Sequence, residues 1–142
     1  MSSHQLFRVV TSAVIYNTEG QFLLAQRHAK DENLPSFWAI PAGHVEFENH
    51  NQNTLEDNLR REVKEEIGVD IVIKSYLDSN GWSDPSYKKI TIAFLCMIQK
   101  GEPKALSETR DVKWRTLKEV SSMKLAPNVL RVITKASRNL DL

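Results

Sequence analysis

The 142-residue chain contains one cysteine, no run of apolar residues long enough to span a bilayer and no excess of either charge. A single thiol cannot form an internal disulfide. Cys96 lies within Ile92-Ala93-Phe94-Leu95-Cys96-Met97-Ile98 and reads as a buried, reduced thiol rather than a nucleophile. Without a stretch of about 18 apolar residues a transmembrane helix is excluded. Met1-Ser2-Ser3-His4-Gln5 also lacks the basic-then-apolar layout of a secretory signal. A cytoplasmic protein with no membrane partner is expected. Lys and Arg number 19 against 18 Asp and Glu, a net charge of +1. That balance lacks the basic excess of a generic nucleic-acid binder, so no nucleic-acid partner is expected. Repeats, low-complexity tracts and linkers are also absent, and residues 1–142 are expected to form one domain around one core.

What is present is a series of strand signals interrupted by one clear helix. Phe7 to Tyr16 is rich in Val, Ile and aromatic residues, a strand pattern. Asn17-Thr18-Glu19-Gly20 has turn chemistry, and Phe22 to Gln26 is the expected second arm of a hairpin. His28 to Ser36 reads as a loop, and Phe37 to Ile40 as a short apolar segment stopped by Pro41. Val69 to Tyr76 and Ile90 to Gln99 read as strands joined by a long loop, Asp78 to Lys89. Val112 to Thr116 suggests a short strand and Leu117 to Ser122 a helical turn. Pro127 is placed at the first position of a final helix bearing Leu130, Ile133, Ala136 and Leu140. Strands with a helix between them and a helix at the end imply an α/β fold, a mixed sheet with helices on opposite faces.

The helix is marked by Leu55, Leu59, Val63 and Ile67, an apolar stripe four residues apart. Asn53 or Thr54 caps its start, with Asp57 in the position of a capping-box partner. Gly68 suits a left-handed C-terminal cap. The spacing predicts a helix over Thr54 to Ile67. On it, Glu62 and Glu66 stack about 6 Å apart along the axis, and Glu65 lies beside them. Like charges at this spacing oppose the helix by roughly 0.2–0.5 kcal/mol per pair. A hard divalent cation would offset that repulsion, and so would ordinary solvent on a charged face that Arg61 and Lys64 balance.

The surroundings favour the cation. Arg61-Glu62-Val63-Lys64-Glu65-Glu66-Ile67-Gly68-Val69 resembles the second half of the Nudix box at every specified position. Trp38-Ala39-Ile40-Pro41-Ala42-Gly43-His44-Val45-Glu46 resembles the strand and loop that open it. Leu23-Leu24-Ala25-Gln26-Arg27, and Trp114 with Leu117, Glu119 and Val120, extend the resemblance over most of the chain. One departure stands out. The family box places its arginine fourteen positions after its first glycine, whereas Arg61 follows Gly43 by eighteen. Four residues are therefore inserted within Phe47 to Asn53, and Asn49 or Asn53 falls where the family has a glutamate that pairs with the arginine. Glu48 or Glu56 is the expected substitute.

The resemblance implies a Nudix-type α/β/α sandwich. It also implies hydrolysis of a diphosphate linkage in a nucleoside diphosphate derivative: a nucleoside triphosphate, ADP-ribose, a nucleotide sugar or a dinucleoside polyphosphate. By the same resemblance Glu62 and Glu66 are the principal ligands of Mg²⁺ or Mn²⁺, with a backbone carbonyl of Ala42 or Gly43. Glu65 completes the set or orients the attacking water, and Arg61 braces the glutamates. A further acid from a later loop would be Glu108, Asp111 or Glu102, and Arg27 or Lys30 would reach phosphates. Each of these also reads as an ordinary surface charge. Trp38 and Trp114 read as core or as a stacking surface, and His44 as a solvent-facing residue. Pro85 and Tyr87 point toward ADP-ribose and dinucleoside polyphosphates respectively, or simply toward a turn in Asp84-Pro85-Ser86-Tyr87. Relatives commonly form homodimers. Two other readings stand beside hydrolysis. One is a nucleotide-binding module without turnover, suggested by the expanded loop. The other is an isoprenoid diphosphate isomerase, which needs a reactive cysteine that Cys96 does not resemble.

Overall fold

The computed structural model describes residues 4–28, 30, 34–47 and 52–142. Its elements run β1 (Phe7–Ile15), β2 (Phe22–Arg27), β3 (Trp38–Ala39), β4 (Ala42–His44), α1 (Thr54–Ile67), β5 (Asp70–Ser83), β6 (Lys88–Lys100), β7 (Thr109–Arg115), α2 (Leu117–Val120) and α3 (Val129–Asn139). A four-stranded sheet has the order β4-β1-β6-β5, with β1 and β6 parallel and the other pairs antiparallel. A smaller antiparallel sheet has the order β3-β2-β7.

Alternation along β1 divides the core. Ala13 and Ile15 face α1, packing with Leu59, Val63, Ile67, Phe94 and Cys96. Val14 faces the other way, packing with Leu77, Ala93, Leu95, Val120, Val132 and Ile133 under α2 and α3. The result is a mixed sheet between helices. Burial of Leu59, Val63 and Ile67 contributes about 1.5–3 kcal/mol each and holds α1 to the sheet.

Several local expectations change. The hairpin of β1 and β2 reduces to one bridge, Tyr16 to Phe22. Both edges of β1 are already taken, by β4 and β6, so β2 departs to pair with β3 and β7. The long loop expected at Asp78 to Lys89 is largely ladder: β5 pairs with β6 out to Ser83–Lys88, and only the Asp84–Tyr87 turn separates them. β5 lies at the sheet edge, bulged between Ile73 and Ser75 and again between Tyr76 and Asp78; Ser79 and Ser83 face solvent there and Asp78 is buried, so these polar residues belong to a strand and not a loop. Asn53 occupies the N-cap of α1 in the left-handed region, without a side-chain cap, and the Asp57 carboxylate accepts from Arg60 instead. A complete capping box forms at α2, where Thr116 and Glu119 bond reciprocally. Gly68 caps α1 as expected, its φ of 76° in the left-handed region and its N–H donating to Lys64 O. Pro127 precedes α3 rather than opening it. The helix buries Val129, Val132, Ile133, Ala136 and Ser137, leaving Leu130 exposed and Leu140 partly buried.

Candidate active site

The approach of β4 to α1 creates the site. The Ala42 N–H donates to Glu66 Oε2 at 3.3 Å. A Cβ at Gly43 would overlap the Glu62 carboxyl group, so glycine here leaves that carboxylate in its place against the backbone. At this same C-terminal end of α1, the Leu106 N–H donates to Glu66 O and the Lys104 N–H to Ile67 O. These bonds satisfy late helix carbonyls and bring the segment bearing Ser107 and Glu108 beside the helix end. The cleft so formed has a volume of 410 Å³. Glu62, Glu65 and Glu66 line it together with Ala42, Gly43, Arg27 and Glu108.

Its electrostatics are those of an acidic site short of positive charge. Burial, then the Glu62 charge, pushes the Glu66 carboxyl up to about 8; the Ala42 N–H and Arg27 work in the opposite direction. Burial also raises Glu62, against the Arg61 guanidinium beside it. Arg61 is drawn to both neighbours, at 3.1 Å from Glu62 and 3.3 Å from Glu65. Burial opposes its charge, but Glu62, Glu65 and Glu46 outweigh that and raise its pKa. With Arg61 drawing on two of the glutamates, no three acidic, histidine or cysteine side chains converge on one point among the described residues. The donor set nevertheless fits a divalent cation. It is all oxygen, it is partly desolvated, and its most buried member carries a proton near neutral pH that a bound cation would have to displace.

Other expected residues separate clearly. Asp111 is not among the residues lining the cleft; it accepts from the Val112 N–H and pairs with Lys113 at 3.9 Å. Glu102 and Lys30 do not line it either, whereas exposed His44 does. Trp38 packs against one core cluster and Trp114 against the other. Cys96 is fully buried, its thiol pushed up to about 12 by burial.

The residue that sequence reasoning missed is Asn58, only 5% exposed. Its Oδ1 accepts from Arg61 Nη2 at 2.8 Å and from the Glu46 N–H at 3.3 Å, and its Nδ2 donates to Thr11 Oγ1 at 3.1 Å. Asn58 and Glu46, 4.0 Å from Arg61, therefore stand where a box glutamate was expected. Glu56 is not an Arg61 partner, and Glu48 and Asn49 lie outside the described residues. The available signal was an amide three positions before Arg61, beside the apolar stripe.

The NUDIX domain family model matches residues 6–136. The chain belongs to the Nudix family. Among curated Nudix relatives, the NAD-capped RNA hydrolase NudC of Vibrio vulnificus (strain CMCP6) is 32% identical over 110 residues, covering 77% of this chain and 39% of that protein. The 8-oxo-dGTP diphosphatase of Proteus vulgaris is 30% identical over 90 residues, covering 63% of this chain and 75% of that protein. The chain thus spans about two fifths of the first of these and most of the second. The crystal structure of a MutT NUDIX hydrolase from Burkholderia pseudomallei superposes with a TM-score of 0.78 at 21% identity, covering 92% of this chain and 98% of that one. The match establishes the shared Nudix fold. Among the described residues no helix is long and apolar enough to cross a membrane.

Proposed function

We propose that the chain is a divalent-metal-dependent pyrophosphohydrolase that cleaves a diphosphate linkage in a nucleotide derivative. The observation that carries this reading is the apposition of Glu62 and Glu66 to the Ala42–Gly43 backbone within one cleft. Glu62 and Glu66 would hold Mg²⁺ or Mn²⁺ with a carbonyl of Ala42 or Gly43, and Glu65 would complete the set. When bound, the cation supplies positive charge for phosphate oxygens and makes water a better nucleophile. The chain's own residues do the rest. Arg61 holds Glu62 and Glu65 in orientation, and Asn58 holds Arg61. Glu65, at the exposed edge, is placed to orient the attacking water. Arg27 lines the cleft on the side of β2, where it can meet a phosphate. Glu108 lies in the same cleft as the further acid, and Asp111 does not line it.

The relatives' names cover NAD-capped RNA, 8-oxo-dGTP and nucleoside triphosphates. We carry over their shared feature, a diphosphate attached to a nucleoside. A panel of nucleoside triphosphates, ADP-ribose, nucleotide sugars and dinucleoside polyphosphates, assayed for phosphate and nucleotide release with and without Mg²⁺ or Mn²⁺, tests the reading. Glu66→Gln should lower turnover of a responsive substrate at least about a hundredfold. Unchanged metal-dependent turnover in that variant would mean the site is wrongly placed. Saturable nucleotide binding without turnover across the whole panel would favour the binding-module alternative, which the loop expansion between Gly43 and Arg61 motivates.

A further inference from the structure

The sheet face on which α1 packs is covered over only part of its length. Strand register carries that face outward from the row of Ala13, Phe94 and Tyr76 to Thr11, Ile92 and Ser79, then Val9, Ile90 and Gly81, and last Phe7, Lys88 and Ser83. α1 begins above the Thr11 row, where Asn58 Nδ2 donates to Thr11 Oγ1. Beyond it the cover is lost: Val9 and Ile90 are half-buried and Phe7 is 42% exposed. A Cβ at Gly81 would meet nothing within 4 Å. The Val45 N–H donates to Val9 O, and Phe47, two residues further along that edge, is 77% exposed. Tyr76, 57% exposed, stands edge-on to Phe94 at the border with the helix. Val10 and Lys89, which alternate with Val9 and Lys88, line the cleft, so the open face is the reverse of the cleft floor.

Charge and area say what fits there. Lys88 marks the outer end of the face and Glu56, on the first turn of α1, its inner end. Neither has a partner of opposite charge among the described residues. A surface with an unpaired cation at one end and an unpaired anion at the other is complementary to a reversed copy of itself. A net charge of +1 sets up no repulsion between copies. The exposed parts of Phe7, Phe47 and Tyr76 amount to about 350 Å². With the half-buried aliphatic residues and the Ser79–Ser83 strip, each copy offers about 600 Å², a total at the low end of specific interfaces.

We propose that this face, Phe7, Val9, Phe47, Gly81, Lys88 and Ile90, is a two-fold interface with a second copy of the chain. The axis runs across the strands, and the two sheets pack face to face about 10 Å apart. Ile90 then meets Ile90 of the other copy, and each Lys88 reaches the other copy's Glu56. Each α1 lies past the outer end of the opposing sheet, where it fills the same layer without a clash. Gly81, in the row of Ile90, lets the β5 edges approach. The two clefts stay open on the outer faces, and the inference does not depend on what they cleave.

Sedimentation equilibrium of the whole chain tests this, with each variant checked for folding by thermal unfolding. Wild type should show a monomer–dimer equilibrium with a Kd of about 1–100 μM. Phe47→Glu should weaken it about tenfold or more. Gly81→Arg should do the same, although it removes no apolar surface and meets no atom of its own chain. Lys88→Glu and Glu56→Lys should each weaken dimerisation, and the double variant should recover most of the loss. A wild type that stays monomeric at about 1 mM would overturn the proposal. So would folded Phe47→Glu and Gly81→Arg proteins that dimerise as wild type does, which would place the contact elsewhere. A double charge swap no better than the single ones would overturn the reversed pairing of Lys88 with Glu56.

Discussion

Replacing Glu66 with glutamine should make the metal-free protein more stable while removing its response to metal. In the folded chain this carboxyl keeps its proton to about pH 8, against 4.5 for an unperturbed glutamate, because burial and the Glu62 charge penalise ionisation. Its folded-state pKa is raised, so the folded state binds the extra proton between those values. The stability this group contributes is therefore greatest below about pH 4.5, declines as pH rises toward 8, and is level above it. Each pH unit in that window is worth about 1.4 kcal/mol, giving a ceiling near 5 kcal/mol. The side chain keeps an edge toward the cleft, and screening by water brings the expected value to about 1–3 kcal/mol. Glutamine has nearly the same shape and can still accept from the Ala42 N–H, but it never acquires the charge. Thermal unfolding in chelator should thus give nearly coincident Tm values at pH 5. By pH 9 the variant should lead by roughly 3–10 °C. Adding Mg²⁺ at pH 8 should raise the wild-type Tm by mass action and leave Glu66→Gln almost unmoved. A variant less stable than wild type at pH 9 without metal, or one that gains as much from Mg²⁺, would refute the assignment of Glu66 as a buried metal-bearing carboxylate.

Three further substitutions probe the scaffold. Gly43→Ala should leave the unfolding free energy within about 1 kcal/mol of wild type, because Glu62 can swing aside, yet weaken Mn²⁺ binding by about 10–100-fold in a calorimetric titration. Asn58→Leu strands the Glu46 N–H, the Thr11 hydroxyl and one Arg61 bond, and should cost about 1–3 kcal/mol in urea unfolding; Asn58→Asp, which still accepts from Arg61, should cost less. Asp78 is nearly buried on β5 and accepts two bonds from Arg131 and one from Lys135, which hold its carboxyl below the ordinary range. The stability it supplies is present above about pH 4 and is lost as pH falls through its lowered value. Asp78→Asn should cost about 1–3 kcal/mol at pH 7, with the deficit shrinking in acid.

The parts of this molecule legible from sequence are those set by local periodicity. The helix from Thr54 to Ile67 was readable to the residue, because the Leu59–Val63–Ile67 stripe and Gly68 report on burial and capping directly. Strand existence was readable for the same reason. Strand partnership was not: β2 looks like the hairpin mate of β1 until the parallel pairing with β6, some eighty residues away, takes the edge it would have used. The turn-rich composition of Asp78 to Lys89 points to a loop, and the outer half of β5 hides in it because an edge strand needs no apolar face toward solvent. Spacing alone left Glu62, Glu65 and Glu66 balanced between a cation site and a solvated face. The close approach of Gly43, a long-range contact, gives the carboxylates a wall.

The neutral Asn58 partner has an electrostatic consequence at Arg61. A glutamate partner would occupy the guanidinium with a full charge and leave the helix carboxylates to repel one another. Asn58 offers only a neutral oxygen, and Glu46 approaches no closer than 4.0 Å. Arg61 accordingly turns its remaining charge on Glu62 and Glu65. These contacts steady the carboxylates, and a cation bound there would compete with them for the same oxygens. Glu66 has no such contact with Arg61, and burial instead holds its proton to about pH 8. Binding a cation as proposed would then require two separate releases, a guanidinium from Glu62 and a proton from Glu66. Only the second depends on pH near neutrality. Apparent metal affinity should therefore rise with pH up to about 8, by no more than tenfold per unit, and then level. In Asn58→Asp the added charge on Arg61 should loosen its hold on Glu62, raising metal affinity without moving that midpoint. Calorimetric Mn²⁺ titrations across pH 6 to 9 in both proteins measure the two effects. A midpoint that follows the substitution at position 58 would show that Arg61, and not the burial of Glu66, governs the proton.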